Sequence, residues 1–176
     1  MDVSFKANLI QKMFINKRAR NIYKPYEAGF VELDLLNKND LRSIKNAADN
    51  WGDDSYAYNI YDNVLNYGKN SDKKHIYALV DTKDEVKNLQ GQEILGLAEF
   101  DEKRGGPNVL ECIQVNPKYI DSKKFRHIGS AMLEAIKSIH FHKPIHVFSD
   151  QDACKFYEKN NFTKSPQFQY DYYWKA

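Results

Sequence analysis

Two strand-like runs enclosing one amphipathic helix constrain this chain more than any other feature. Val109-Leu-Glu-Cys-Ile-Gln-Val115 reads as a strand, and it stops at Asn116-Pro117, where proline removes a ladder donor. Ile145-His-Val-Phe148 is the next such run. Between them Met132, Leu133, Ile136 and Ile139 recur at helical spacing from Ser130 to about Phe141, and His142-Lys143-Pro144 ends the helix. A strand, a helix and a strand in that order make a parallel crossover, so part of the sheet is parallel and covered by helix.

The rest of the chain extends that sheet. Gly29–Leu36 reads as a first strand, and Asn39 or Asp40 caps a helix carrying Leu41, Ile44, Ala47, Ala48 and Trp51. Gly52-Asp53-Asp54-Ser55 breaks it before a second helical stretch, Tyr56 to Tyr67. His75–Asp81 and Glu93–Asp101 are strands joined by a polar, hairpin-type connection, and Gly105-Gly106-Pro107-Asn108 is a turn. Asp152 caps a helix with Ala153, Phe156 and Tyr157, Asn160-Asn161 ends it, and Phe168–Trp174 supplies a last strand. The order β-α-α-β-β-β-α-β-α-β describes an α/β (α+β mixed sheet) domain with helices on its faces.

At 176 residues one domain is the default. Residues 1–28 read as a basic N-terminal arm (Lys6, Lys12, Lys17, Arg18, Arg20, Lys24), with Leu9, Ile10, Met13 and Phe14 close to helical spacing, and 29–176 as the single domain. A net charge of +2, from 26 basic and 24 acidic residues, points to neither nucleic acid nor an anionic membrane as partner. No apolar run reaches the roughly 20 residues of a membrane span, and Lys6, Asn8, Gln11 and Lys12 interrupt any leader-like core. Cys112 and Cys154 lack ligand spacing and read as free thiols, so a cytoplasmic location is expected. His140, His142 and His146 straddle a helix end and a strand without compact metal-ligand spacing, and no metal is expected.

The chemistry-bearing stretch lies inside the crossover. Lys123-Lys-Phe-Arg-His127 is a basic loop that opens into Ile128-Gly-Ser-Ala-Met-Leu133. A helix start offers unpaired N–H groups and the positive end of its dipole, and Gly129 would let backbone approach a ligand closely, so the stretch suits a phosphate or pyrophosphate.

The stretch Ile113-Gln-Val-Asn-Pro-Lys-Tyr119, then Lys124-Phe-Arg-His-Ile-Gly-Ser-Ala-Met-Leu133, then Asp152-Ala-Cys-Lys-Phe-Tyr-Glu-Lys-Asn-Asn-Phe162 resembles the acetyl-CoA signature of GNAT acyltransferases. The resemblance runs from about Ile94 to Phe162 and implies the GNAT-type acyl-CoA N-acyltransferase fold. Two registers are open. In one, Arg126 leads and Gly129-Ser130-Ala131 forms the glycine unit; in the favoured one, Lys124 leads and His127 replaces a glycine. Asp152 stands where the family often has Asn, and Asn161 where it has Gly.

The resemblance implies acetyl-CoA as cosubstrate and a primary amine as acceptor, joined by direct attack. It assigns cofactor contacts to Ile113, Gln114, Val115, Lys124, Phe125, Arg126, His127, Ile128, Gly129, Ser130, Ala131, Asp152 and Lys155. Tyr157 would protonate the leaving thiolate. Glu111 is the best-placed general base, with Glu99 as substitute; strand alternation puts Glu111 on the face of Ile113 and Val115 unless a bulge intervenes. Asp49, Asp53, Asp54 and Asp62 would border the acceptor, or simply form a solvated surface. Three readings stay open: an N-acetyltransferase, a non-catalytic CoA-binding or protein-interaction module, and a basic-arm nucleic-acid binder. A homodimer stays open too.

Overall fold

The structure, a computed structural model, describes residues 7–52, 55–68, 73–81 and 93–176. Its strands are β1 (Asn8–Ala19), β2 (Ile22–Glu32), β3 (Lys74–Asp81), β4 (Glu93–Asp101), β5 (Asn108–Val115), β6 (Phe125–Arg126), β7 (Ile145–Phe148), β8 (Thr163–Lys164) and β9 (Asp171–Trp174). Its α-helices are α1 (Lys38–Trp51), α2 (Tyr56–Asn63), α3 (Pro117–Ser122), α4 (Ile128–Ile139) and α5 (Cys154–Lys159). The strands form one sheet in the order β6-β1-β2-β3-β4-β5-β7-β9-β8. Among the described residues only β5 and β7 pair in parallel, with α4 in the connection between them, which is the crossover expected from sequence. No helix among the described residues is long and apolar enough to cross a membrane.

The basic segment before residue 29 is drawn into this sheet. Residues 8–32 form a long antiparallel hairpin turning at Arg20, whose φ of 58 is left-handed. The helical spacing read at Leu9, Ile10, Met13 and Phe14 is overturned: alternation wins, with Met13 and Ile15 facing the core and Phe14 turned to solvent. Leu9 and Ile10, neighbours in a strand and therefore on opposite faces, each find apolar partners because the sheet has a core on both sides, which is why a helix-like doublet appears in a strand; a bulge beside Leu9 shifts the register that follows.

Each face of the sheet has its own core. One joins α1 and α2 to the sheet through Ile44, Ala57, Ile60, Ile76, Leu97 and Cys112. The other joins α4 and α5 through Met132, Ile136, Tyr157, Phe100, Leu110 and Tyr172. The cap of α1 is Asn37, whose side chain accepts from the Asn39 N–H at 2.8 Å; Asp40, expected to cap it, is instead buried and accepts from the Asp34 N–H at 2.8 Å. Asn116 leaves β5 by capping α3, with Pro117 at the first helical position where its missing N–H costs nothing.

Candidate acyl-donor site at the strand splay

β5 and β7 are paired only at Asn108↔Ile145 and Val109↔His146, then diverge. On its other edge β5 stays bonded to β4, and Asn116 donates to the Leu95 carbonyl at 2.9 Å. Alternation from Asn116 turns the N–H groups of Ile113 and Val115 away from β4, into the splay. A cavity of about 980 Å³ fills this opening, bounded by Ile113, Gln114 and Val115 of β5, by Phe125 to Ser130 across the helix entrance, and by Asp150, Asp152, Ala153 and Phe156 beyond β7.

The start of α4 faces the cavity without a side-chain cap. Ala131 N–H is the first to find an intrahelical acceptor, the His127 carbonyl at 2.9 Å, which leaves those of Ile128, Gly129 and Ser130 free toward the opening. His127 has φ 66, the left-handed conformation that glycine adopts without strain and a bulky side chain does not. Gly129 works differently from the sequence expectation. Its backbone is ordinary, but an added Cβ would lie 3.0 Å from the Phe156 ring and 3.6 Å from Val115, so the missing side chain makes room for the cavity wall.

Of the other expected contacts, Arg126 lines the cavity while its guanidinium stacks 4.0 Å over Tyr23. Lys124 does not line it: its ammonium lies 5.4 Å from the Tyr119 ring and 5.2 Å from Phe125. Ala131 is in the core and Lys155 is on the exposed side of α5; neither borders the cavity. Asp152 borders it, but from a short 3-10 turn, Gln151–Ala153, and caps nothing; the turn delays α5 to Cys154, so the capping expectation fails. Asn161 does adopt the left-handed turn that glycine would, with φ 63.

Tyr157 is 5% exposed, ringed by Phe156 and Phe162. Burial pushes its phenol well above the usual range, helped by the nearby Cys112, Tyr56 and Asp150, so it holds its proton at neutral pH. Glu111 does not share the face of Ile113 and Val115. It is the extra residue of a bulge, since Glu99 pairs with Cys112 and Phe100 with Leu110, and it turns out beside Lys103 at 3.9 Å. Burial first, then the Asp101 carboxylate, raises its pKa. Glu99 is buried at 2% exposure and ion-paired with Lys74. Asp49 pairs with Lys45 and Asp62 accepts from Asn66, both on the surface; Asp53 and Asp54 lie outside the described residues. His140 packs on Phe100 and bonds Tyr77, and His146 pairs with Asp171, so each has a local partner.

Sequence reasoning missed Tyr56, Tyr119, Ile120, Asp150, Ala153 and Phe156 in the cavity wall. Tyr56 opens α2 and donates its hydroxyl to Asp150, 94 residues away in sequence. No local pattern joins two such positions; Tyr119, Ala153 and Phe156 had a signal, their places in the stretches that carry the resemblance.

No protein-family profile and no curated protein matches this sequence. Solved structures do match. A histone acetyltransferase HPA2-related acetyltransferase from Corynebacterium glutamicum covers 83% of this chain and 93% of its own, at TM-score 0.55 and 10% identity. A GNAT-family protein from Desulfovibrio desulfuricans covers 84% and 98%, at TM-score 0.54 and 16% identity. Arabidopsis thaliana NAA60, solved with acetyl-CoA, covers 82% and 94%, at TM-score 0.51 and 14% identity. At these identities the likeness is one of fold, and the fold is that of the GNAT acyl-CoA N-acyltransferases.

Proposed function

We propose that this protein transfers an acetyl group from acetyl-CoA to a primary amine. The observation that carries the reading is the conjunction at one opening of free α4 N–H groups and free β5 N–H groups. A pyrophosphate is held by donors at a helix start, and a pantetheine amide by an unpaired strand edge; the cavity offers both in one continuous space. The sheet's likeness to acetyltransferase folds supports the choice of acyl donor, though folds are poor guides to acceptors.

Within this reading the amine nitrogen attacks the thioester carbon, whose oxygen is held by the Ile113 N–H, and the carbon–sulfur bond breaks. Tyr157 gives its proton to the departing thiolate, a transfer its raised pKa leaves it loaded for at neutral pH, and is reloaded with the second proton that the nitrogen sheds as the amide forms. Glu111 takes the ammonium proton through water, since it stands outside the cavity on the bulge of β5. The cytoplasm, where acetyl-CoA is made and used, is the compartment this activity fits.

Titration calorimetry with acetyl-CoA, and with desulfo-CoA alongside, tests the donor site: micromolar binding is expected, and no binding at millimolar ligand refutes it. Tyr157→Phe should keep acetyl-CoA affinity within about twofold and lower turnover on the order of 10²-fold. Unchanged turnover removes Tyr157 from the mechanism.

A further inference from the structure

The wall opposite the α4 start has a feature that donor binding leaves unexplained. Tyr56, the first residue of α2, leans across the splay and donates its hydroxyl to Asp150, which follows β7. Both border the cavity beside Ile113 and Gln114. Their placement is built in. The Gln114 side-chain carbonyl accepts from Ala57 N–H at 3.2 Å and ties the start of α2 to β5, while Ser149 N–H bonds the Tyr170 carbonyl at 2.7 Å and fixes the end of β7 to the chain before β9.

The chemistry at this wall is that of a receptor for organic ammonium. The Asp150 carboxylate has no ion-pair partner among the described residues, where the group bonded to it is the neutral phenol of Tyr56. Phe148 is 69% exposed and lies two residues before Asp150 along extended backbone, so the two share a side of the chain. The Phe148 ring packs on His146 and lies outside the cavity wall. A carboxylate beside the Tyr56 ring, with the Phe148 ring exposed on the same side of the chain, suits a cation carried on methylene groups: the charge meets the carboxylate and the methylenes lie along aromatic surface. Burial first, then Cys112, Tyr56 and Asp150, push the Tyr157 phenol upward, so the charge at this wall acts on the proposed proton donor.

We propose that Asp150, bonded by Tyr56 at the cavity wall, is the acceptor-binding carboxylate of this site, and that the acceptor is an aliphatic primary ammonium whose charge displaces the Tyr56 hydroxyl from Asp150. This rests on the acyltransferase reading for the name acceptor, but not for the binding event. Tyr56 then acts as an internal competitor, holding Asp150 in place until a cation takes over. The order of partners follows from charge, since a carboxylate bonds an ammonium more strongly than a neutral hydroxyl.

The test is a ¹⁵N-amide NMR titration of the full chain with butylammonium chloride, with butanol as neutral control and acetyl-CoA calorimetry on the same samples. In the wild type, butylammonium should shift the amides of Tyr56, Ala57 and Asp150 at millimolar concentration, and butanol should not. Asp150→Asn should weaken that binding tenfold or more, while Tyr56→Phe, which removes the competitor, should tighten it about two- to fivefold. A merely structural pair would instead show the same loss in both variants or none in either. Absence of shifts at these amides, equal response to butanol, or an Asp150→Asn variant that binds like the wild type overturns the proposal. The two readings fail separately: acetyl-CoA binding without the ammonium response refutes the subsite alone, and the ammonium response without acetyl-CoA binding refutes the donor site alone.

Discussion

Gly96 sits on β4 opposite Val115, directly under the start of α4, and its missing side chain decides how close that helix lies. A Cβ placed there would be 2.6 Å from the Met132 sulfur, 3.1 Å from the Gln114 carbonyl oxygen and 3.2 Å from the Ile128 side chain. Met132 is fully buried, the Gln114 oxygen is backbone, and Ile128 is in the cavity wall, so none can yield cheaply. Overpacking of this kind costs about 3 kcal/mol, and removing the flexibility of a strand glycine returns about 1 kcal/mol. Gly96→Ala should therefore lose about 2 kcal/mol, a fall in Tm of about 4–8 °C for a chain of this length. Thermal unfolding followed by circular dichroism reads the loss. Because Ile128 and Gln114 must move, acetyl-CoA affinity should fall as well, by about tenfold. Met132→Ala added to Gly96→Ala should recover at least about 1 kcal/mol relative to the sum of the single changes, since the two atoms compete for one space. A Gly96→Ala protein as stable as the wild type, with acetyl-CoA binding intact, would refute the claim that this glycine sets the height of α4.

Three further outcomes follow from the same geometry. His127→Gly should raise stability by about 1 kcal/mol in chemical denaturation, because it relieves a left-handed backbone at the helix start. For His140, burial, the largest effect, lowers the imidazole pKa to about 4, below the usual 6.5. The unfolded chain then binds a proton that the folded chain refuses, so stability should fall as pH drops from about 6.5 to 4, and His140→Gln should flatten that part of a pH-stability curve. Burial also pushes the Cys112 thiol up to about 12, so iodoacetamide at pH 8 should leave Cys112 unmodified in the native protein and label it only after denaturant, as read by mass spectrometry.

What was legible in the sequence was whatever a period or a single turn residue controls. The crossover from Val109 to Phe148 appears as expected, and so does the helix break before Ser55, which caps α2 by accepting from Tyr58 N–H at 3.2 Å. Most of the expected donor contacts surround one cavity because they came from one local stretch, strand end to helix start. The failures share a different cause. The bulge at Glu111 is set by register against β4, and only the pairing of the two strands, not the alternation within one, reveals which face a carboxylate takes. Residues 8–32 carry charges on both sides of a strand pair, so their alternation is weak, and the apolar neighbours Leu9 and Ile10, one on each face, disguised it further. Tyr56 and Asp150 meet only after the sheet has brought α2 and the end of β7 together.

The two cores differ in when they can be completed as a chain emerges from the ribosome. The core beneath α1 and α2 draws on residues 7 to 112 and has every buried member once β5 has been made. The core beneath α4 and α5 also needs Ile128 through Tyr172, so the sides of Phe30, Tyr77, Phe100 and Leu110 that face it lack their partners until those residues have been added. The donor-side opening belongs to that late half. The cavity with its free N–H groups is therefore walled on its α4 side by residues that are added after the first core has every buried member.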